Sequence, residues 1–346
     1  MRVSTRSIIS TAEPKRKSKF VRYLSIFLSV IAIIQIILLA VTFILARGLI
    51  LRQGPELDAD AVNYIPWYRS WSIRSADETY RLQGWYCESG QSNSPTVVIV
   101  PGYNNNRLPA GNSTGEMMQQ LVARNYNVLT VDPRYTGSSG GNSQSFGYLE
   151  SLDLLMVLDR LKGRREEVDI IIYAIGAGSN TAIRAYTQLE AMERRTFSYP
   201  RNNTVRTNLV NLTLHTKDIK AWILDAPQPF GDDYISYEIR RNAPFGHQLW
   251  AFTVPWAVRI SAGMAGNTPI LETISTVSEP ILILAPTAGS SAYSEGTNLI
   301  VERRQRLFPD ATAVTVIDMA EKENLLSAAP AEVTDTILDF LGRFLK

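Results

Sequence analysis

The chain has few of the residues that form covalent cross-links and metal centres. It contains one cysteine, Cys87, and two histidines, His215 and His247, among 346 residues. A single cysteine excludes an internal disulfide and a CxxC-type metal site, and two histidines argue against a histidine-rich metal centre. We therefore expect neither a metal nor another cofactor.

Neither sign of charge is in excess. Lysine and arginine number 35 against 33 acidic residues, which gives a net charge of +2. A balance of this kind provides no overall basic face for the phosphate backbone of a nucleic acid. A nucleic-acid partner is therefore not expected.

Charged residues are also missing from one long segment, residues 24–46, which reads LSIFLSVIAIIQIILLAVTFILA. At ~1.5 Å rise per residue, a helix of this length crosses a hydrocarbon core of ~30 Å. The run is longer than the ~7–15 apolar residues of a signal peptide, and no clear A-x-A cleavage site follows it. The sequence therefore predicts a single-pass transmembrane helix whose partner is the lipid bilayer, and a cleaved signal peptide is the alternative.

The flanks of this segment differ in charge. Seven basic residues precede it, whereas Arg47 and Arg52 are soon followed by Glu56, Asp58 and Asp60. The positive-inside rule predicts a cytoplasmic N-terminus and an extracytoplasmic C-terminal domain. The predicted organisation is a basic tail (1–23), the membrane helix (24–46), a linker (47–70) and one large domain (71–346).

Within the large domain, short apolar runs alternate with helical patterns. A hairpin is predicted over 71–74 and 80–87, and later strands over 96–100, 127–131, 221–224, 280–284 and 313–317. Helices are predicted over 115–124, 149–161 and 333–344. This alternation predicts an α/β fold with a doubly wound, mostly parallel sheet. Residues 228–277 interrupt this alternation as a cap-like segment. It contains five aromatic residues: Phe230, Phe245, Trp250, Phe252 and Trp256. They are expected to form a lid over a ligand, to form a surface for the membrane or a partner, or simply to pack the cap onto the sheet.

The most informative stretch is 168–183, VDIIIYAIGAGSNTAI. It reads as a buried strand, a tight turn and the start of a helix, which is the layout of a nucleophile elbow with the pattern G-x-S-x-G. The five positions are Ala174, Ile175, Gly176, Ala177 and Gly178. The residue at the place of the nucleophile is Gly176, which has no side chain.

Several stretches in the same order strengthen this similarity. They are WSIRSADETYRLQGWYC, TVVIVPGYNNNR, NVLTVDPRYTGSSGG and FGYLESLDLLMVLDRL. Together with the elbow, residues from about 71 to 346 resemble the α/β-hydrolase superfamily, close to membrane-anchored, serine-hydrolase-like abhydrolase-domain proteins. The resemblance implies the α/β-hydrolase fold with a short cap, and it implies a catalytic triad whose positions can be compared with this chain.

All three triad positions differ from the family pattern. The nucleophile position is Gly176. The acid position falls near Gly289 or Ser290, and no acidic residue follows until Glu295. The histidine position falls at about Lys322 to Asn324, beyond the last histidine of the chain. Because a serine needs a base and the base needs an orienting acid, the resemblance implies a degenerate triad.

Other residues of the site survive in this comparison. Backbone amides of Ala177 and of Tyr103 or Asn104 match the oxyanion hole, although Pro101 stands where the family commonly has histidine. Such amides, at a helix N-terminus, suit a carboxylate or carbonyl oxygen. We therefore expect a small acyl-like ligand or a protein partner.

Three residues are weaker candidates for displaced catalysis. Ser179 lies one helical turn past Gly176, Asp225 follows the sixth strand, and His247 lies in the cap. Each also has a structural interpretation: helix capping or packing, loop hydrogen bonds, and a partly exposed aromatic surface. His215 and the turn residues Asp132, Arg134 and Tyr135 are expected to be structural.

Two functions stay open from the sequence. The favoured one is a non-catalytic, membrane-anchored homologue of the α/β-hydrolases that binds a ligand or partner. The alternative is an esterase or acyl hydrolase that uses displaced residues.

Overall fold

The computed structural model describes residues 19–164, 168–243, 245–263, 265–319 and 324–345. Its strands are β1 (Arg69–Arg74), β2 (Arg81–Cys87), β3 (Thr96–Val100), β4 (Asn127–Val131), β5 (Ile170–Ile175), β6 (Ile219–Asp225), β7 (Ile281–Pro286) and β8 (Thr312–Ile317). They form one sheet of eight strands in the order β1-β2-β4-β3-β5-β6-β7-β8. The strands from β3 to β8 are parallel, and β2 is antiparallel to both β1 and β4. The predicted doubly wound sheet and its opening hairpin are confirmed.

Helices cover the sheet. They are α1 (Lys19–Ile50), α2 (Asn112–Ala123), α3 (Glu150–Lys162), α4 (Gly178–Glu193), α5 (Asn203–Val210), α6 (Gly231–Asn242), α7 (His247–Ser261), α8 (Ile270–Ile274), α9 (Ser294–Leu307), α10 (Leu325–Ala328) and α11 (Pro330–Phe344). The cap-like segment consists of α6, α7 and α8. The sequence pattern predicted neither α5 nor α9.

The central strands are buried on both faces because helices lie above and below them. All five residues of β3 and all six of β5 are buried. Side chains alternate between two apolar clusters: Val98 and Ile172 pack on one side of the sheet, and Ile99 and Tyr173 on the other. This two-sided burial explains why these strands read as continuous apolar runs rather than as alternating patterns.

Helix α1 is longer than the predicted segment 24–46, and its C-terminal part is not free. Residues 19–40 are exposed apart from position 31, whereas Thr42 and Ala46 are buried against the domain. Arg2 and the other basic residues up to Lys17, on which most of the orientation argument rests, lie outside the described residues.

The segment predicted as a linker, 47–70, packs on the domain instead. The Gly54 N–H donates to Tyr135 O, and the Asn106 amide donates to Glu56 O. Ala61 is buried, and β1 begins at Arg69, two residues earlier than predicted. The polar composition of this stretch indicated a linker because it does not reveal which backbone groups find partners in the domain.

Candidate functional site

The strand-to-helix turn between β5 and α4 holds Gly176 in the left-handed region, with φ +52°. Its N–H donates to the backbone oxygen of Asp225 at 3.0 Å, and its carbonyl accepts from the Ser179 N–H at 2.9 Å. A Cβ placed on Gly176 would have nothing within 4 Å apart from its chain neighbours. The turn therefore aims position 176 into open space, and glycine puts no reactive side-chain atom there.

Two other glycines allow the backbone to approach the turn closely. A Cβ on Gly102 would lie 2.8 Å from Ile175 O, and one on Gly178 would collide with Val100 O. The loop after β3 and the first turn of α4 thus need residues without side chains to come together. Glycine at 178 is required by this contact, whereas glycine at 176 is required by no contact.

A cavity of about 620 Å³ opens above Gly176. Its floor is formed by the ends of β3 and β5, and its walls come from α6, the loop after β7 and the segment before α10. The lining includes Gly176, Ala177, Gly102, Tyr103, Asn104, Phe146, Arg52, Tyr234, Tyr237, Glu238, Arg241, Gly289, Ser290, Tyr293, Met319 and Asn324. Gly176, the two residues named for the acid position (Gly289 and Ser290), and Asn324 from the predicted histidine region therefore lie around one cavity.

The three backbone amides predicted to bind a ligand, those of Tyr103, Asn104 and Ala177, differ in their hydrogen bonding. The Asn104 N–H donates to Gln144 Oε1 at 2.9 Å, so this amide already has an acceptor. Among the described residues, no acceptor is found for the N–H groups of Tyr103 and Ala177. The prediction that Asn104 can donate to a ligand is therefore not supported by this geometry, because the Gln144 side chain, remote in sequence, occupies its amide.

Asp225 is buried at the end of β6, below the cavity. Its Oδ2 accepts from the Leu325 N–H at 3.2 Å, and its Oδ1 has no partner among the described residues. Burial raises the pKa of Asp225 to about 7, against the lowering effect of the backbone N–H groups of Leu325 and Leu326. The carboxyl thus holds the start of α10, as the structural interpretation expected, and keeps one oxygen unpaired.

Asn324 occupies the described end of the predicted histidine position; Lys322 and Glu323 lie outside the described residues. Its Oδ1 accepts from the Ser327 N–H at 2.9 Å and caps α10, and its Nδ2 donates to Pro109 O at 3.0 Å. The side chain is therefore fully committed to the fold.

The displaced candidates are not brought together. Ser179 is fully buried, and its Oγ lies beside the Tyr234 hydroxyl without hydrogen-bond geometry. His247 is exposed at the start of α7 and does not line the cavity. His215 is also outside it, with Nδ1 3.3 Å from Glu193 Oε1. Neither histidine lines the cavity, and no hydrogen bond joins either one to Ser179 among the described residues.

The turn after β4 fastens the loop beside the cavity. Asp132 is buried and accepts from the Arg107 guanidinium at 2.6 Å and from the Arg107 N–H at 2.8 Å. Tyr135 adopts φ +58°, and its backbone oxygen accepts from Gly54. These contacts agree with the structural role expected of the turn.

Solved structures with the same architecture are hydrolases. The esterase Pf2001 from Pyrococcus furiosus superposes with a TM-score of 0.59 at 20% identity, covering 85% of this chain and 100% of the esterase. A thermophilic esterase from Thermogutta terrifontis gives a TM-score of 0.50 at 16% identity, covering 80% and 100%. An acylaminoacyl peptidase from Pyrococcus horikoshii gives 0.52 at 14% identity, covering 84% of this chain and 44% of the peptidase.

The chain has the α/β-hydrolase fold. Comparison of the sequence with protein-family models and with curated proteins gives no match. At identities of 14–20%, these neighbours establish the fold alone.

Within this α/β-hydrolase fold, the cavity contains residues that sequence reasoning missed. Tyr237 packs against Tyr293 in a tilted arrangement with ring centroids 4.3 Å apart, and Glu238 forms an ion pair with Arg52 at 3.3 Å. Arg241 lies on the same helix and also lines the cavity. The only sequence feature that pointed to the cap residues was the concentration of aromatic residues and arginines there. No sequence feature pointed to Arg52 as a cavity residue, because it closely follows the apolar helix.

No metal site accompanies the cavity. Among the described residues, no group of three or more His, Cys, Asp or Glu side chains is placed to hold a metal ion. The described lining of the cavity offers backbone amides, hydroxyls, two arginines and the Glu238 carboxylate, together with a smaller apolar part.

Proposed function

We propose that this protein is a membrane-anchored member of the α/β-hydrolase fold that binds a small acyl-like ligand without hydrolysing it. The observation that carries the proposal is the open place at Gly176, where no atom beyond the neighbouring residues in the chain lies within 4 Å of a Cβ built there. A ligand oxygen can reach the amides at the start of α4 because no nucleophile stands in front of them.

The absence of a base supports binding over catalysis. A serine hydrolase needs a base within hydrogen-bond reach of its nucleophile. Both histidines of this chain lie outside the cavity, and the cavity-lining position in the predicted histidine region is Asn324, whose side chain caps a helix. The buried Ser179 is also out of reach of a substrate in the cavity.

The cavity lining is mostly polar and has a smaller apolar part, so it suits a ligand with an acidic or carbonyl head and an apolar tail. Phe146, Tyr293 and Met319 offer apolar surface, and the N–H groups of Tyr103 and Ala177 are free of protein acceptors in the described residues. At the rim, Arg241 adds positive charge. A medium-chain carboxylate such as laurate combines these features.

Helix α1 supports the membrane part of the proposal. It is the one helix among the described residues that is long and apolar enough to cross a membrane. Its C-terminal end packs into the domain through Thr42 and Ala46, and Leu49 O accepts from the Tyr103 hydroxyl at 2.7 Å. A helix bonded to the ligand cavity in this way suits a retained anchor better than a cleaved signal peptide.

Displacement of a fluorescent fatty acid tests the ligand. The full chain in detergent micelles is loaded with cis-parinarate and titrated with laurate. We expect Arg241→Glu to weaken binding because it reverses the charge at the rim. The neighbouring Arg240→Glu, which changes the same charge away from the cavity lining, should leave binding unchanged. Equal binding by both variants, or no displacement in the wild-type chain, would reject the proposed ligand site.

A further inference from the structure

Helix α7 presents a row of exposed apolar side chains. Leu249, Phe252 and Trp256 follow one another at intervals of three and four residues, so they share one face of the helix, and the exposed Phe245 lies just before its start. Phe252 is 83% exposed and Phe245 is 69% exposed. The opposite face of the helix is buried through Trp250, Val254 and Val258. A contiguous exposed apolar row of this kind marks an interaction surface.

The row is continuous with the surface of α1. Trp256 meets Phe43 of α1 edge-on with ring centroids 6.0 Å apart, and Thr253 Oγ1 lies 3.1 Å from Thr42 Oγ1. Between the two helices runs an open groove of about 600 Å³. Its walls are formed by Gln35, Leu38, Leu39 and Thr42 of α1, and by Phe252, Pro255 and Trp256 of α7. Whatever surrounds the free part of α1 therefore also reaches α7.

The length of the exposed N-terminal part of α1 determines how far the hydrocarbon core reaches along this helix toward α7. Residues 24–40 carry no charge and are exposed apart from position 31, and contact with the domain begins at Val41. At about 1.5 Å per residue these positions cover about 26 Å, which is less than a hydrocarbon core of about 30 Å. The core must therefore extend past Ala40 to the level of Thr42 and Phe43, where α7 crosses.

We propose that α7 lies in the bilayer interface on the domain side, with Phe245, Leu249, Phe252 and Trp256 inserted into lipid. The inference rests on the proposed membrane anchoring by α1. An amphipathic helix in this position buries its apolar face about 5–10 Å into the boundary between headgroups and acyl chains, and tryptophan is favoured at that depth.

Polar groups at one end of the groove are consistent with a position of α7 at the depth of the lipid headgroups. Arg259 and Asp232 form an ion pair at 3.2 Å where the groove meets α6. Lipid acyl chains fill the apolar part of the groove, and the headgroups meet this pair. The domain is thus held to the membrane by two helices, α1 across the bilayer and α7 along it, and this fixes its tilt.

Fluorescence quenching tests the contact in the full chain reconstituted into phosphatidylcholine–phosphatidylglycerol vesicles. Bimane is attached to Phe252→Cys, to Ile33→Cys on α1, and to Leu299→Cys, an exposed leucine on α9 that serves as the matched control. The wild-type chain, whose one cysteine is the buried Cys87, measures background labelling. Lipids with a doxyl group report contact with the bilayer, and iodide reports contact with water.

We expect doxyl lipids to quench bimane at positions 252 and 33, and iodide to quench it at 299. Iodide quenching at 252 that equals the quenching at 299 would overturn the inference. Protection from both quenchers at 252 would also overturn it, because a second copy of the chain or another protein would then cover the row. If position 33 is not quenched by doxyl lipids, the proposed anchoring itself fails; quenching at 33 without quenching at 252 rejects the α7 contact alone.

Discussion

At the scale of the residue, the proposed binding function depends on a few positions at the carboxyl ends of the parallel strands. Gly176 has no side chain at the turn between β5 and α4, and Asn324 caps α10. The buried Asp225 has one carboxyl oxygen without a partner among the described residues. Each of these residues has a measurable consequence that does not depend on knowing the natural ligand.

Asp225 predicts a pH dependence of stability. Its pKa is raised to about 7 by burial, above the ordinary value of 3.8. Between these values the folded state binds more protons than the unfolded state, so the free energy of unfolding falls as pH rises, by up to about 1.4 kcal/mol per pH unit. Below pH 3.8 the contribution is complete, and it is lost as pH rises through about 7.

Asp225→Asn should remove this dependence while keeping an acceptor for the Leu325 N–H. Urea unfolding of the full chain in micelles at pH 5 and pH 8 measures it. We expect the difference between the two pH values to shrink in the variant. A difference that is the same in the variant and the wild type would show that Asp225 does not titrate in this range.

Gly176→Ser tests whether the nucleophile alone is missing. The new side chain has room, but φ +52° costs a residue with a Cβ about 1–2 kcal/mol. We expect lower stability and no labelling by a fluorophosphonate, because no base is near. Gly111→Ser is a control for glycine replacement at positive φ (+55°) with open space outside the cavity, and it should also lower stability without labelling.

Adding Asn324→His to Gly176→Ser places a base on the same cavity, next to the residue whose N–H binds Asp225. The double variant should react with the fluorophosphonate, although the lost helix cap costs about 1 kcal/mol. Labelling of Gly176→Ser alone would contradict the account, because it would reveal a base that the structure does not place there.

At the scale of the element, the junction between α1 and the domain passes through Gln144. Its buried side chain accepts from the Asn104 N–H at 2.9 Å and donates to Arg52 O at 2.7 Å, while its own N–H donates to Ile50 O at 2.8 Å. One residue thus joins the end of α1 to the loop that follows β3.

Gln144→Ala should therefore loosen α1 from the cavity. Loss of both side-chain bonds leaves a backbone N–H and a carbonyl without partners, which costs about 1–3 kcal/mol. Urea unfolding of the full chain in micelles measures the loss, and Asn142→Ala, a change at an exposed position two residues earlier, is the control. Equal stability of the two variants would show that the junction does not depend on Gln144.

Some of these elements could be predicted from the sequence, and others could not. The run TVVIV predicted β3 to the residue, because a strand buried on both faces needs apolar, β-branched residues throughout. Helix α9 was missed because its run SEGTNLIVERRQRL buries only a narrow face. The docking of 47–70 was missed because it depends on backbone hydrogen bonds to distant loops, which leave no periodic pattern.

The candidate site could be predicted only in part from the sequence, for a similar reason. The elbow pattern pointed to Gly176, and the resemblance to the α/β-hydrolases implied Ala177 and Tyr103. The rim residues Arg52 and Arg241 come from segments 189 positions apart in the sequence, and the sheet topology and cap bring them to one cavity. The partner of the Asn104 amide was hidden because a single glutamine side chain decides it.

At the scale of the whole molecule, the α/β-hydrolase fold, the cavity and the apolar helix form one connected arrangement. Helix α1 ends at the cavity through Leu49 and Tyr103, and it also packs on α7 of the cap. In this account the fold keeps the shape of a hydrolase and presents an empty elbow to a ligand near a membrane.

The most direct measurement of that account is fluorophosphonate labelling and hydrolysis of a short-chain nitrophenyl ester by the full chain, beside Ser179→Ala and Asp225→Ala. We predict no labelling and no turnover above the uncatalysed rate in the wild-type chain, with cis-parinarate binding as proof that the protein is folded. Labelling and turnover that are lost in Ser179→Ala would contradict the account and would establish a hydrolase with a displaced nucleophile.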